Sequence, residues 1–214
     1  MSFCYIGYMK NIQFLLIGIF VFVVSCSQGD DYSTRALSAD SDSDNWLLHG
    51  RTYDESRFSP LQDINDSNVQ DLGLAWSFET GTNRGHEATP IVVDGMMFIS
   101  APWSVVFALD PHTGKEIWSF DPQADKAWAR NACCDVVNRG VAVWGDQVIF
   151  ATIDGRLIAL NKYSGKVNWD ILTIDKCKPY TITGAPRIID GKIIIGNGGA
   201  EYGVRGYISA YDVT

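Results

Sequence analysis

Two stretches, Ala108-Leu-Asp-Pro-His-Thr-Gly-Lys-Glu-Ile-Trp118 and Ala159-Leu-Asn-Lys-Tyr-Ser-Gly-Lys-Val-Asn-Trp169, are one element written twice. The offset is 51 residues at the leading Ala and again at the closing Trp. A third copy opens at Ala210-Tyr-Asp-Val-Thr214, another 51 residues on, without its Gly and Trp. A second shared element precedes each copy: Pro90-Ile-Val-Val-Asp-Gly95, Val141-Ala-Val-Trp-Gly145 and Pro186-Arg-Ile-Ile-Asp-Gly191. Each unit reads as strand, Asp-Gly turn, strand, short loop, strand, Thr/Ser-Gly turn, strand. Asp94-Gly95, Asp154-Gly155 and Asp190-Gly191, flanked by β-branched residues, are hairpin signals. Four short strands in a repeat of this length match a propeller blade. The expected fold class is all-β, a β-propeller with its first three or so blades in this chain. Trp76, Trp118 and Trp169 recur after the turns and are expected to pack between blades rather than stack on a ligand. A propeller closes on itself to cover its end blades, so the sequence is expected to be part of one larger domain.

Composition agrees with that reading. The chain has 214 residues, 46% of them apolar and only 20% charged, which is enough to bury a core. With 20 Gly and 7 Trp among many Val and Ile, it leans to β-structure rather than a helical bundle. The 17 Lys and Arg are outnumbered by 25 Asp and Glu, a net charge of −8. Nucleic acid is excluded as a partner, because phosphate binding needs a basic footprint.

The N-terminus reads as an address. Lys10 precedes the apolar run Phe14 to Val24, too short to span a bilayer comfortably but right for the core of an export signal. Met9-Lys10 makes a more ordinary signal start than Met1. The run ends Val23-Val24-Ser25-Cys26, which resembles a bacterial lipobox, so residues 1–26 are expected to be an export signal with Cys26 as the lipidated residue. The alternative is a plain secretory signal with Cys26 a bystander. Residues 27–45, rich in Asp and Ser, read as a disordered acidic tether, with folded structure from Trp46 onward. Membrane contact is expected through the lipid anchor alone, on the periplasmic side of the cell envelope.

Cys133-Cys134 is the sharpest chemical feature. Adjacent Cα atoms lie about 3.8 Å apart, below the usual disulfide range of about 4.4–6.8 Å. A bridge here would be a small strained ring presenting a flat sulfur surface; the alternative is two reduced, buried thiols. An exported protein meets an oxidising compartment, which favours the bridge. In the same stretch, Arg139 could fork onto a planar carboxylate, although an arginine alone is more often a surface residue. His49, His86 and His112 form no ligand-like grouping, and no Cys-x-x-Cys-His haem motif is present. Cys177 has no assigned role.

From Trp46 to Thr214 the sequence resembles the N-terminal part of the pyrroloquinoline quinone (PQQ)-dependent alcohol dehydrogenases. Trp46-Leu-Leu-His-Gly-Arg-Thr-Tyr53 and Arg57-Phe-Ser-Pro-Leu61 resemble the family's opening segment. Cys133-Cys-Asp-Val-Val-Asn-Arg139 and Gly196-Asn-Gly-Gly-Ala-Glu-Tyr-Gly-Val-Arg-Gly206 are most similar to the quinohaemoprotein subgroup. The resemblance implies an eight-bladed propeller carrying PQQ and a metal on its axis. It implies that Glu87, within Gly85-His-Glu-Ala-Thr-Pro90, hydrogen-bonds the cofactor and that Cys133 and Cys134 form a vicinal disulfide stacked on its ring system. Arg139 would pair with a cofactor carboxylate. Thr183, within Thr181-Ile-Thr-Gly-Ala-Pro186, would donate a hydroxyl to it. Gly199 and Ala200 would bring backbone close, and Glu201 would ligate the metal, usually calcium, with a lanthanide as the other option.

These roles are chemically coherent. PQQ is a planar, polyanionic o-quinone that wants a stacking surface, donors and a cation, and calcium takes carboxylate oxygen. The implied reaction oxidises a small alcohol to the aldehyde and passes electrons to cytochrome c, fused or separate; a fused cytochrome would carry haem c in a further C-terminal part. The catalytic aspartate of the family is expected beyond residue 214, so no catalytic residue is assigned here, and residues 1–214 alone are expected to be inactive. The competing reading is a non-catalytic propeller lipoprotein that scaffolds outer-membrane assembly. Such a scaffold has no use for Cys133-Cys134, Glu87, Arg139 and Glu201 together.

Overall fold

The computed structural model describes residues 28–214; the export signal and Cys26 lie outside the described residues. The described strands form three antiparallel meanders. The first holds β1 (Ile91–Val93), β2 (Met96–Ser100), β3 (Val106–Leu109) and β4 (Glu116–Phe120). The second holds β5 (Ala142–Trp144), β6 (Gln147–Ala151), β7 (Arg156–Asn161) and β8 (Val167–Leu172). The third holds β9 (Arg187–Ile189), β10 (Lys192–Gly196) and β11 (Ile208–Asp212). These are propeller blades, with the leading strands β1, β5 and β9 side by side. The second blade is sandwiched between the other two. Val148 to Ala151 and Leu157 to Leu160 are therefore fully buried, and their sequence is a continuous apolar run rather than an alternation. The last strands β4 and β8 are mostly exposed.

Two of the Asp-Gly hairpins form as expected. Asp94 and Gly95 have φ of 53° and 73°, and Asp190 and Gly191 have 48° and 67°, the paired left-handed geometry that joins twisted strands. Asp154-Gly155 is not their counterpart. It turns β6 into β7, whereas β5 turns into β6 at Gly145-Asp146. Gly155 N–H closes this turn on Thr152 O at 2.9 Å, and the Asp154 carboxylate accepts from the Thr152 hydroxyl at 2.5 Å.

The recurring tryptophans bind one blade to the next. Trp118 on β4 donates its indole N–H to Lys162 O at 2.9 Å, and a Cβ on Gly165 would stand 2.8 Å from its ring. Trp76 repeats the arrangement one blade earlier, donating to Pro111 O at 3.0 Å, with a Cβ on Gly114 falling 2.4 Å from the ring. Pro111 and Lys162 are 51 residues apart, as are Gly114 and Gly165. Both glycines are left-handed, φ 69° and 67°. Each must be glycine twice over, for its backbone and for the indole lying on it.

The segment before Trp46 departs from the expected tether. Gln28–Leu37 form a helix, α1, and Tyr32 and Ala36, one turn apart, are buried with Ala39. The Tyr32 ring lies 5.2 Å from that of Trp144. Arg35 pairs with Asp42 at 3.0 Å and with Asp94 at 2.8 Å, and the buried Lys162 ammonium meets the same Asp94 at 2.9 Å. An average over an Asp- and Ser-rich stretch hides these few anchoring side chains, whose partners are distant in sequence. Onward from α1 the chain pairs Trp46 with Val92 by two backbone hydrogen bonds, and Tyr53 donates to Ile188 O at 2.9 Å.

Gly165→Ala is expected to destabilise the full-length gene product by about 2–4 kcal/mol, combining left-handed strain with displacement of Trp118. Gly95→Ala, at φ 73° but with no atom within 4 Å of the added Cβ, should cost about 1–2 kcal/mol. Urea unfolding of the two variants measures the difference; equal losses would show that the indole contact is not a constraint.

Candidate cofactor-binding site

The residues just ahead of the leading strands meet across the blades. Thr89, two residues before β1, forms a parallel bridge with Gly140, two before β5. Thr89 N–H donates to Arg139 O at 3.3 Å, and Arg139 N–H donates to Thr183 O at 2.9 Å. A Cβ on Gly140 would stand 3.3 Å from Thr89 O and 3.6 Å from the Ala185 Cβ. The repeat thus brings one position from each blade to the same rim.

The side chains there form one cluster. Arg139 Nη2 pairs with Glu87 Oε2 at 2.8 Å, and Nη1 donates to Thr183 Oγ1 at 2.6 Å. The Arg139 and Glu87 side chains are 41% and 40% exposed, so the cluster remains open to a ligand. Arg139 and Thr183 also line an open cleft of about 390 Å³ that runs to Asn197 and Gly198. Gly198 is bonded to Thr181 in both directions, by N–H to O at 2.7 Å and O to N–H at 3.4 Å. This anchors the next residues, Gly199, Ala200 and Glu201, beside the segment of Thr181 to Thr183 that leads into β9. Gly199 has φ 112°, and a Cβ there would meet Pro179 O at 2.6 Å, so no side chain fits. Ala200 and Glu201 lie in a 3-10 turn, Ala200–Tyr202. Glu201 is exposed and makes no hydrogen bond or ion pair among the described residues.

Cys133 and Cys134 are joined as a vicinal disulfide across a trans peptide, with Cα atoms 3.8 Å apart. Both cysteines are exposed, which rules out the alternative of two buried thiols. Their loop follows the 3-10 segment Lys126–Asn131, which Asp125 caps by accepting from Ala127 N–H at 2.9 Å. Trp128 pins that segment to the third blade, its indole N–H donating to Tyr180 O at 2.6 Å. Past the bridge, Asp135 pairs with Arg84, and Val136 O accepts from Trp103 N–H at 2.9 Å. Lys126 sits 3.9 Å above the Trp103 ring. Cys177 is an exposed free thiol.

Three of the expected residues, Glu87, Arg139 and Thr183, are therefore in direct contact. The Gly199–Glu201 turn follows Gly198, which lines the same cleft as Arg139 and Thr183, and the disulfide precedes Arg139 by five residues in the chain. The described residues hold no cluster of three His, Cys, Asp or Glu able to take a metal. Three residues that brace these segments carry no motif of their own. Trp128 lies outside the 51-residue period, Thr89 stands without an assigned role before Pro90, and Asn138 has none inside the Cys133–Arg139 stretch. The signal available for Asn138 was an amide between Val136-Val137 and Arg139-Gly140, where a strand lead-in is otherwise apolar.

Comparison with known proteins agrees with this geometry. The PQQ family described as "Glucose/ethanol/alcohol dehydrogenase, beta-propeller domain" matches residues 46–214. The chain belongs to that family. It is 59% identical over 167 residues to quinohemoprotein alcohol dehydrogenase ADH IIB of Pseudomonas putida, covering 78% of this chain and 24% of that protein. It is 50% identical over 206 residues to 1-butanol dehydrogenase (cytochrome c) of Thauera butanivorans, covering 96% and 28%. Among solved structures, quinohemoprotein alcohol dehydrogenase ADH-IIG of Pseudomonas putida superposes with a TM-score of 0.82 at 54% identity, covering 84% of this chain and 26% of that one. The chain thus spans about a quarter of the length of these relatives. The propeller fold and the quinohaemoprotein likeness expected from sequence are confirmed, and the scaffold alternative is not favoured.

The donors present suit PQQ. A half-exposed guanidinium fork answers its carboxylates, a hydroxyl and a carboxylate answer its polar edge, and an exposed disulfide offers a flat, polarisable surface.

The loop bearing the disulfide also has an acid-sensitive anchor. Burial alone would push the Asp154 carboxyl up. The Thr152 hydroxyl at 2.5 Å, the Asp125 N–H at 3.2 Å and the Arg156 charge outweigh it and hold the group below its ordinary value of 3.8. A depressed carboxyl contributes stability that is complete at neutral pH and lost as pH falls through the folded value. Asp154→Asn is therefore expected to lower Tm at pH 7 and to flatten the decline of Tm below about pH 4. A parallel decline in variant and wild type would contradict this.

Proposed function

We propose that the full-length gene product is a PQQ-dependent alcohol dehydrogenase whose first blades supply one side of the cofactor site. The observation that carries this reading is the contact of Glu87, Arg139 and Thr183, drawn from three successive blades, with an exposed vicinal disulfide five residues before Arg139 in the chain. Bound there, PQQ would supply a two-electron acceptor for the hydride of a small alcohol, with calcium as the Lewis acid beside it. Arg139 would hold a cofactor carboxylate through its planar fork, which a lysine could not reproduce. Glu87 would orient the guanidinium and accept from the cofactor. Thr183 would fix the other guanidinium nitrogen and offer its hydroxyl. Cys133-Cys134 would exclude water from one face of the ring. The backbone of Gly199 and Ala200 would approach closely, and Glu201, free of any protein partner, would give a carboxylate to calcium or to a lanthanide.

Electrons would leave to a cytochrome c, fused or separate, the acceptor named for the Thauera relative, 1-butanol dehydrogenase (cytochrome c). We further assign the protein to the periplasmic side of the envelope, with Cys26 lipidated. The helix α1 begins two residues after Cys26, so an anchor there would leave little slack before the docked Tyr32.

Two sets of variants of the full-length gene product test the assignment. Glu201→Ala should lose alcohol oxidation by on the order of 100-fold or more, with excess calcium restoring part of it. Replacing Cys133 and Cys134 together by Ala should lower activity at least about 10-fold while shifting Tm little, because the bridge closes only a tiny loop. Wild-type turnover in both would show that the site is elsewhere.

A further inference from the structure

One buried polar side chain beside the cluster has no part in the site as described above. Asn138 is 1% exposed and lies between the disulfide loop and Arg139. Its amide is satisfied in every direction. Oδ1 accepts from Ser100 Oγ at 2.7 Å and from Gly140 N–H at 3.1 Å. Nδ2 donates to Ala151 O at 2.8 Å and to Ser104 Oγ at 3.2 Å. Four bonds use its full donor and acceptor capacity.

The partners come from separate elements. Ser100 ends β2, Ala151 ends β6, and Gly140 follows Arg139 directly. Ser104 sits in the turn after β2, where it also accepts from Ile153 N–H at 3.3 Å. That turn is itself held in a costly conformation, Trp103 and Ser104 having φ of 65° and 62°. Such geometry in non-glycine residues persists only where the surroundings over-determine it. Asn138 is a large part of those surroundings. The residue after it has both backbone groups engaged, Arg139 N–H with Thr183 O and Arg139 O with Thr89 N–H. With the next N–H, that of Gly140, held by Asn138, every backbone group that could let Arg139 swing is occupied. An apolar residue of the same shape would leave Gly140 N–H and Ala151 O buried without partners.

We infer that Asn138 is the positioning residue that aims Arg139, and through it the Glu87–Arg139–Thr183 cluster, at a carboxylate ligand. This rests on the cofactor reading given above. It also goes further, because it assigns the aim of the guanidinium to a side chain that cannot itself reach a ligand. A merely structural Asn138 would lower stability and leave ligand affinity alone. A positioning Asn138 acts only when Arg139 is present.

The test is a double-mutant cycle on PQQ affinity, read by fluorescence titration of the calcium-loaded apoprotein of the full-length gene product. Each variant is titrated at a temperature well below its own apoprotein Tm. Asn138→Ala is expected to weaken PQQ binding about 10- to 100-fold beside Arg139, and less than about 2-fold when Arg139 is already Ala. An equal effect in both backgrounds overturns the inference, as does an Asn138→Ala protein that melts lower yet binds PQQ like the wild type. If Arg139→Ala alone leaves PQQ affinity unchanged, the cofactor reading itself fails, and this inference falls with it. Should Asn138→Ala not fold, Ser100→Ala decides, since it removes one of the four bonds. Weaker PQQ binding that depends on Arg139 supports the assignment, and unchanged binding overturns it.

Discussion

The indole of one blade lying on the left-handed glycine of the next is the constraint on which the structure depends. Trp118 on Gly165 and Trp76 on Gly114 are the same contact 51 residues apart along the glycine side. Each couples a directional hydrogen bond to a close apolar contact, so the blades cannot slide or fan apart without losing both. Fixed stacking at the outer strands has its consequence at the inner ones. The leading strands β1, β5 and β9 start in step, and the residues ahead of them, Thr89, Gly140 and Ala185, converge on one rim. A carboxylate, a guanidinium and a hydroxyl separated by 52 and 44 positions in the chain then touch.

What stands on that rim is rigid below and open above. The second blade buries both faces of β6 and β7, each full burial of a Leu, Ile or Phe side chain being worth about 1.5–3 kcal/mol. Polar side chains with paired groups tie the irregular segments to this base and to each other: Asn138 in the Arg139 lead-in to Ala151 of β6, Trp128 to Tyr180, and Asp154 to the loop entering Lys126–Asn131. Arg139, Glu87, Glu201 and the disulfide are left half or fully exposed. Structure-bearing groups are thus inside and paired, while the groups proposed to face the ligand keep solvent access. A planar anion bound there would meet donors already in place, which keeps the ordering cost of binding small.

The repeat was legible because its period is written in side chains that act locally. Asp94-Gly95 and Asp190-Gly191 make their turns with residues next to one another, and the Gly-to-Trp spacing is the same at Gly114–Trp118 and Gly165–Trp169. Asp154-Gly155 misled because a dipeptide specifies a tight turn and not which pair of strands it joins. The helix α1 was invisible for a different reason. Its stretch is acidic and Ser-rich on average, and the side chains that anchor it are few and find distant partners, Tyr32 on Trp144 more than 100 residues away and Arg35 on Asp94. At the site, the family motifs mark Glu87, Arg139 and Thr183 individually. That they bond to each other, and that Asn138 holds one of them, follows from blade stacking, which no local pattern encodes.

The decisive measurement is a structure of the full-length gene product reconstituted with PQQ and calcium. It should show the PQQ ring lying on the Cys133–Cys134 bridge, a cofactor carboxylate on the Arg139 fork, and calcium on Glu201. PQQ bound away from the rim where β1, β5 and β9 begin, with the Glu87–Arg139 pair untouched by ligand, would contradict this placement.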